Sequence, residues 1–203
     1  MKCKNYINKE WVNGLDGNKF DVENPFTEEI IAQVPQSSDK DVDMAVKAAK
    51  SAWKDWKMLG SLDMRDLMRE VAVKSRSHDY EIAKIIAKES GKPLIECLDE
   101  IEWIASIFEY YSEIGRDQRG RVVAPVTPRS MSMVIKEAYG VVGCIVPWNY
   151  PLLLMAWKVA PALAAGNTVV VKPSEITPLS IMIWLEKCCD HLPNGILNMV
   201  TGY

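Results

Sequence analysis

Residues 140–175, GVVGCIVPWNYPLLLMAWKVAPALAAGNTVVVKPSE, limit the fold of this chain more than any other stretch. Val141 to Val146 is an apolar, β-branched run of the kind that makes a strand buried on both faces. Pro147-Trp148-Asn149 turns sharply, and Pro151 stands where a first-turn proline opens an apolar helix. Thr168 to Val171 is a second buried run, ending in the polar turn Lys172-Pro173-Ser174-Glu175. The pattern predicts two parallel strands joined by a helix and ending at one edge of a sheet, where open α/β sheets bind their ligands.

The same rhythm continues. Strands are expected to begin near Val141, Thr168 and Ile196, a spacing that fits βαβ units of roughly 30 residues. Gly166 ends the first helix, Thr177-Pro178 starts the second, and Pro193-Asn194-Gly195 makes the turn after it. The expected fold class is α/β, a Rossmann-like open parallel sheet (βαβαβ, incomplete) with right-handed crossovers. The chain stops at Thr201-Gly202-Tyr203, where the next loop and helix should begin, so a fragment is expected.

Upstream the pattern is mixed. Tyr6 to Val12 alternates weakly and ends in Asn13-Gly14, a hairpin-turn dipeptide. Lys19 to Val22 and Glu29 to Val34 read as short strands about the turn Asn24-Pro25-Phe26-Thr27. Four helices follow. Ser38 or Asp39 caps the first, whose apolar side holds Val42, Val46, Ala49, Trp53 and Trp56. Gly60-Ser61 starts the second, through Leu67, Met68, Val71 and Ala72. Asp79 caps the third, Glu81 to Ser90, stopped by Gly91. The fourth runs from Pro93 to Ile114, and its Trp103, Phe108, Tyr110 and Tyr111 are expected to pack in a core or interface. Val122 to Val126 and Met131 to Ile135 predict a hairpin with too little local core to stand without a partner.

Composition excludes some functions. A net charge of −3 leaves no electrostatic footprint for nucleic acid or an anionic membrane. Ala138 to Trp157 is free of charged side chains, but Pro147, Pro151 and Asn149 interrupt it, so no membrane span is expected. Five cysteines without metal-site spacing and only two histidines argue against a metal centre. The start MKCKNYINKEW lacks the apolar core of a signal peptide, and the expected home is cytoplasmic, with free thiols.

The polar groups at the strand ends admit two readings each. Asn149 has an amide that could stabilise an oxyanion, or it simply caps the helix behind it. Lys172 and Glu175 could hold a ribose, as the acid after a Rossmann strand does, or form a solvated surface pair. No G-x-G-x-x-G and no Walker lysine motif follows any strand. Cys144 reads as a small buried hydrophobe within its strand, and no cysteine sits in a turn beside an activating base.

Read together, IVPWNYP (Ile145 to Pro151), AWKVAPALAAGNTVVVKPSE (Ala156 to Glu175) and ILNMVTGY (Ile196 to Tyr203) resemble the NAD(P)-dependent aldehyde dehydrogenase superfamily. The resemblance extends through Tyr6-Ile7-Asn8, Asn24-Pro25, the Asp41 to Trp56 helix and Glu89-Ser90-Gly91-Lys92-Pro93, and it is nearest the betaine-aldehyde-like, broad-substrate branch. It implies oxidation of an aldehyde to a carboxylic acid, with NAD, rather than NADP, reduced. Asn149 matches the side-chain donor to the oxyanion of the thiohemiacetal, and Lys158 a lysine supporting that asparagine or a proton path. Ile145, Pro147 and Trp148 match positions lining the cofactor cleft. Lys172, Ser174 and Glu175 match the turn holding the adenosine ribose, with Glu175 repelling a 2′-phosphate. Residues 1–115 and 137–203 then form the cofactor-binding domain and 116–136 an oligomerisation arm, implying a homodimer or homotetramer for the complete enzyme. The family's glutamate base and nucleophilic cysteine match nothing here. The chain alone is therefore expected to be inactive; the alternative is a catalytically inactive nucleotide-binding or oligomerisation fragment.

Overall fold

The computed structural model describes residues 2–117, 120–125 and 127–203. The chain begins with β1 (Asn5–Ile7), β2 (Glu10–Val12), β3 (Lys19–Glu23) and β4 (Ile30–Pro35). Four helices follow: α1 (Asp39–Trp56), α2 (Ser61–Ser77), α3 (Asp79–Ser90) and α4 (Leu94–Ile114). After a 3-10 turn come β5 (Arg121–Val123) and β6 (Ser132–Val134). The regular part then runs β7 (Val141–Ile145), α5 (Pro151–Ala164), β8 (Thr168–Lys172), α6 (Leu179–Cys188) and β9 (Leu197–Met199).

The predicted βαβαβ forms. β7, β8 and β9 are parallel neighbours, with Val141 opposite Thr168 and Val169 opposite Leu197. β1 adds antiparallel to β9 and β2 to β1, giving the order β2-β1-β9-β8-β7. Side chains of a strand alternate between faces, and β8 is apolar on both. Val170 meets Ile7, Ala45, Ala49 and Val200 on the α1 side, whereas Val169 and Val171 enter the main core with Leu152, Met155 and Ile181. Thr168 ties the α1 side down, its hydroxyl donating to the Ala49 carbonyl at 2.9 Å.

Behind α5 and α6 lies the layer of α2, α3 and α4. Indole nitrogens are satisfied across these layers: Trp56 donates to the Leu163 carbonyl at 3.2 Å and Trp184 to the Ser75 hydroxyl at 2.9 Å. Phe108 and Trp184 stack tilted at 5.5 Å. Burying each such side chain contributes about 2 kcal/mol or more, and pairing its N–H removes the penalty a buried donor would carry.

Several local expectations change. The first hairpin turns at Asn8-Lys9, both at positive φ (54° and 68°), rather than at Asn13-Gly14. The buried side of α1 is Asp41, Ala45, Ala49 and Trp56, while Val42 and Val46 are exposed. Alanines let the helix lie close on the sheet, which a stripe of valines would hold off. His78, not Asp79, occupies the cap of α3, which starts at Asp79. Of the α4 aromatics Phe108 is buried, but Trp103 and Tyr110 are exposed. β5 ends at Val123, and the expected Val126 end lies outside the described residues. β7 is not buried on both faces: it is the last strand of the sheet, and Gly143 and Ile145 are exposed. Among the described residues, no helix is long and apolar enough to cross a membrane.

Candidate functional site

Because β7, β8 and β9 are parallel, their carboxyl ends share one edge. Register places Ile145 opposite Lys172, so the two polar turns start side by side. The Val146 amide donates to the Lys172 carbonyl at 3.0 Å, and the Thr177 hydroxyl to the Trp148 carbonyl at 3.4 Å. These bonds lock the Pro147–Asn149 turn to the turn after β8.

In the first turn Pro147, Trp148 and Asn149 are all exposed. Asn149 is not the cap of α5, because Tyr150 holds that position and Pro151 the first helical one. The first amides of α5, Leu152 and Leu153, are instead taken by Glu100 at 3.0 and 3.1 Å. The capping role that Asn149 could have had is thus filled by another residue. Ile145 and Trp148 are 73% and 55% exposed, an apolar lip beside the asparagine. Lys158, on α5, donates to the Ile145 carbonyl at 2.6 Å and holds the end of β7 against the helix.

In the second turn the Lys172 ammonium stands 3.5 Å from the Glu175 carboxylate. The Glu175 carboxyl is held below the usual carboxylate range by its own backbone amide, with help from Lys172 and Ser174. It is therefore ionised at neutral pH. The Ser174 hydroxyl also accepts the Ile176 amide at 3.3 Å, shaping the turn. A carboxylate and an ammonium at one strand end can together accept from and donate to the two hydroxyls of a ribose, so the residues fit the adenosine end of a dinucleotide. A cleft of about 280 Å³ opens beside them, lined by Phe20, Glu23, Glu89, Glu175 and Tyr203. A cleft of about 450 Å³ lies elsewhere, against Trp53, Met64, Gly115 and Ala164, away from all these polar groups.

The third strand end is pinned from the N-terminal region. The Thr201 amide donates to the Asn5 side chain at 3.1 Å, and the Ser37 amide to the Thr201 carbonyl at 2.9 Å.

No cysteine here is prepared to attack. Burial pushes the thiols of Cys3 and Cys144 up, that of Cys97 to about 11, that of Cys188 to about 12 and that of Cys189 well above its ordinary value. Among the described residues, no group of three or more His, Cys, Asp or Glu could hold a metal ion.

Two participants were not foreseen. Glu89 and Glu100 are fully buried, and each binds the start of a helix leaving the site. An acid on an amphipathic helix normally reads as solvated. The only signal in the sequence was the position of Glu89 directly before Ser90-Gly91-Lys92-Pro93.

The profile of the aldehyde dehydrogenase family matches residues 11–203. A chloroplastic aminoaldehyde dehydrogenase of Arabidopsis thaliana is 37% identical over 98% of this chain and 41% of its own length. The solved structure of an NADP-dependent enzyme of E. coli superposes with a TM-score of 0.96, at 32% identity, over 100% of this chain and 42% of that one. A betaine aldehyde dehydrogenase of Staphylococcus aureus, solved with NAD+, gives 0.94 at 33% identity, over 99% of this chain and 42% of that one. The chain thus spans about two fifths of the length of the relatives it matches.

Proposed function

This chain belongs to the aldehyde dehydrogenase family, an NAD(P)-dependent family, and from that premise we propose that it supplies the nucleotide cleft and oxyanion donor of an enzyme oxidising aldehydes to carboxylic acids. The observation that carries this reading is the pairing of two locked turns at one sheet edge, one presenting Asn149 and the other Lys172, Ser174 and Glu175. Bound there, the nicotinamide cofactor would supply the hydride acceptor. The chain's own residues would orient it: Lys172 and Glu175 at the ribose, Ile145, Pro147 and Trp148 along the cleft wall. The Asn149 amide would donate to an oxyanion, and Lys158 keeps the strand end beneath it in place through the Ile145 carbonyl.

NAD is the preferred cofactor in this proposal, with NADP less favoured, because an ionised Glu175 repels a 2′-phosphate. Calorimetric titration of the chain with both nucleotides tests it. NAD is expected to bind more tightly than NADP, and Glu175→Ala to weaken NAD and narrow that preference. Equal affinities of wild type and Glu175→Ala for NAD would sink the assignment.

The substrate class we favour is an aldehyde carrying a distant cationic nitrogen, as the names of the Arabidopsis and Staphylococcus relatives suggest. Its support in this chain is aromatic: Trp103 on α4 and Trp157 on α5 are both exposed. Such rings attract ammonium groups. The complete enzyme would be a homodimer or homotetramer joined through the β5–β6 arm. A cytoplasmic home belongs to the same proposal, supported by five free thiols.

A further inference from the structure

The segment Glu89-Ser90-Gly91-Lys92-Pro93 has no part in the function proposed above, yet it begins with the fully buried Glu89 and carries Lys92, the partner of the fully buried Glu100. The first N–H groups of any helix lack partners within it. In α5 and α6 the residues at the cap, Tyr150 and Pro178, make no side-chain capping bond. The acceptors come from elsewhere. Glu89, near the end of α3, accepts the Leu179 amide at 2.7 Å and the Ser180 amide at 2.9 Å, one on each oxygen. Glu100, on α4, accepts the Leu152 and Leu153 amides on one oxygen and pairs through the other with Lys92. Lys92 also stands 4.2 Å over the ring of Tyr150.

The placement of these helices matters. α5 begins just after Asn149, and α6 just after the turn that ends in Glu175. Gly91, at φ 73°, reverses the chain between α3 and α4, so one short segment serves both helices; a Cβ there would meet Pro25 at 3.0 Å.

We propose that Glu89 and Glu100 are positioning residues for the cleft, Glu89 setting the turn from Lys172 to Glu175 and Glu100, with Lys92, setting the turn that carries Asn149. Each acid fixes the first amides of the helix leaving its turn, and the backbone between them has few residues in which to wander. The helical segment upstream of the sheet thus anchors from behind the two turns that the Val146 and Thr177 bonds join directly. This rests on the proposed function only in treating those turns as the cleft. The following test uses no nucleotide, so failure of the nucleotide reading would leave it intact.

Residue-resolved amide hydrogen exchange and amide chemical shifts are compared for the whole chain, Glu89→Gln and Glu100→Gln. Glutamine keeps the shape and one acceptor while turning a donor toward the other amide. Glu89→Gln is expected to speed exchange at Leu179 or Ser180 by about tenfold, as loss of a bond to a carboxyl implies. It should also shift the resonances from Lys172 to Glu175 and leave the amides of Leu152 and Leu153, which Glu100 holds, unmoved. Glu100→Gln should give the mirror pattern. Alanine at each position should enlarge the same pattern, and if those variants fail to fold the glutamine pair still gives the crossed comparison. Acceleration spread equally over α1 and both turns would reduce the acids to general stabilisers and overturn the proposal. So would unchanged exchange and shifts at the two turns.

Discussion

Glu89 shows how strongly one residue can be governed by its surroundings. Burial pushes its carboxyl from an ordinary 4.5 up to about 8, against hydrogen bonds from Ser180 and Leu179 that pull the other way. Other acids face the same region: Glu100 on α4 adds to the rise, and Glu23 and Glu175 line the adjoining cleft. Between those two values the folded chain keeps a proton that the unfolded chain has lost. Stability must then fall as pH rises, by at most about 1.4 kcal/mol per pH unit, and flatten above the folded value. Chemical denaturation of wild type and Glu89→Gln from pH 5 to pH 9 measures it. The wild type should lose ground to the variant as pH rises toward 8; a difference that stays flat or grows would contradict the assignment.

Single elements depend on equally specific contacts. Gly195, in the turn between α6 and β9, sits at φ 78°, and a Cβ there would fall 2.8 Å from the Ala48 carbonyl of α1. Gly195→Ala therefore combines backbone strain with a clash against rigid backbone. It should cost about 2 kcal/mol or more, read as a lower urea midpoint with unchanged slope. The β5–β6 hairpin stands at the other extreme. Among the described residues its two strands pair only with each other, and Val122, Met131, Met133 and Ile135 are exposed. If the arm joins subunits, Met133→Asp should move the chain to a smaller species in size exclusion with light scattering. A wild type already monomeric would count against the arm's role.

The element scale also shows what could be read in advance. The three parallel strands were legible because β-branched runs between proline and glycine breaks repeat at βαβ spacing, whereas β1 and β2 read as one stretch. The exposure of β7 was not, since an apolar run does not say how many neighbours a strand has. Val42 and Val46 misled because hydrophobicity outweighed the need for a close helix–sheet approach, which Ala45 and Ala49 meet. Asn149, Lys172 and Glu175 could be picked out by their place at strand ends. Glu89 and Glu100 could not, because their partners lie 90 and 52 residues away and only the folded chain brings them together.

At the scale of the whole molecule, the chain holds a cleft without a reacting thiol. Every cysteine is shifted toward its neutral form by burial, which disfavours the thiolate that would add to a carbonyl. The purified chain, given an amino- or trimethylammonio-aldehyde and NAD, is expected to produce no NADH absorbance above a no-protein control. Aldehyde-dependent NADH formation that survives thiol alkylation would refute the family chemistry here, and formation abolished by it would reveal a cysteine more reactive than its burial allows. The sheet itself does not need that chemistry to hold together, since its core is closed on the α1 side and the α5–α6 side alike.

The buried acids beneath α5 and α6 carry one more consequence. The positive pole at the start of a helix is where many nucleotide-binding proteins cradle a diphosphate. Here both poles are already answered from inside the protein, one by Glu100 and the other by Glu89. In the proposed cleft a phosphate would therefore find the first amides of both helices already bonded, and would have to displace a glutamate to reach either.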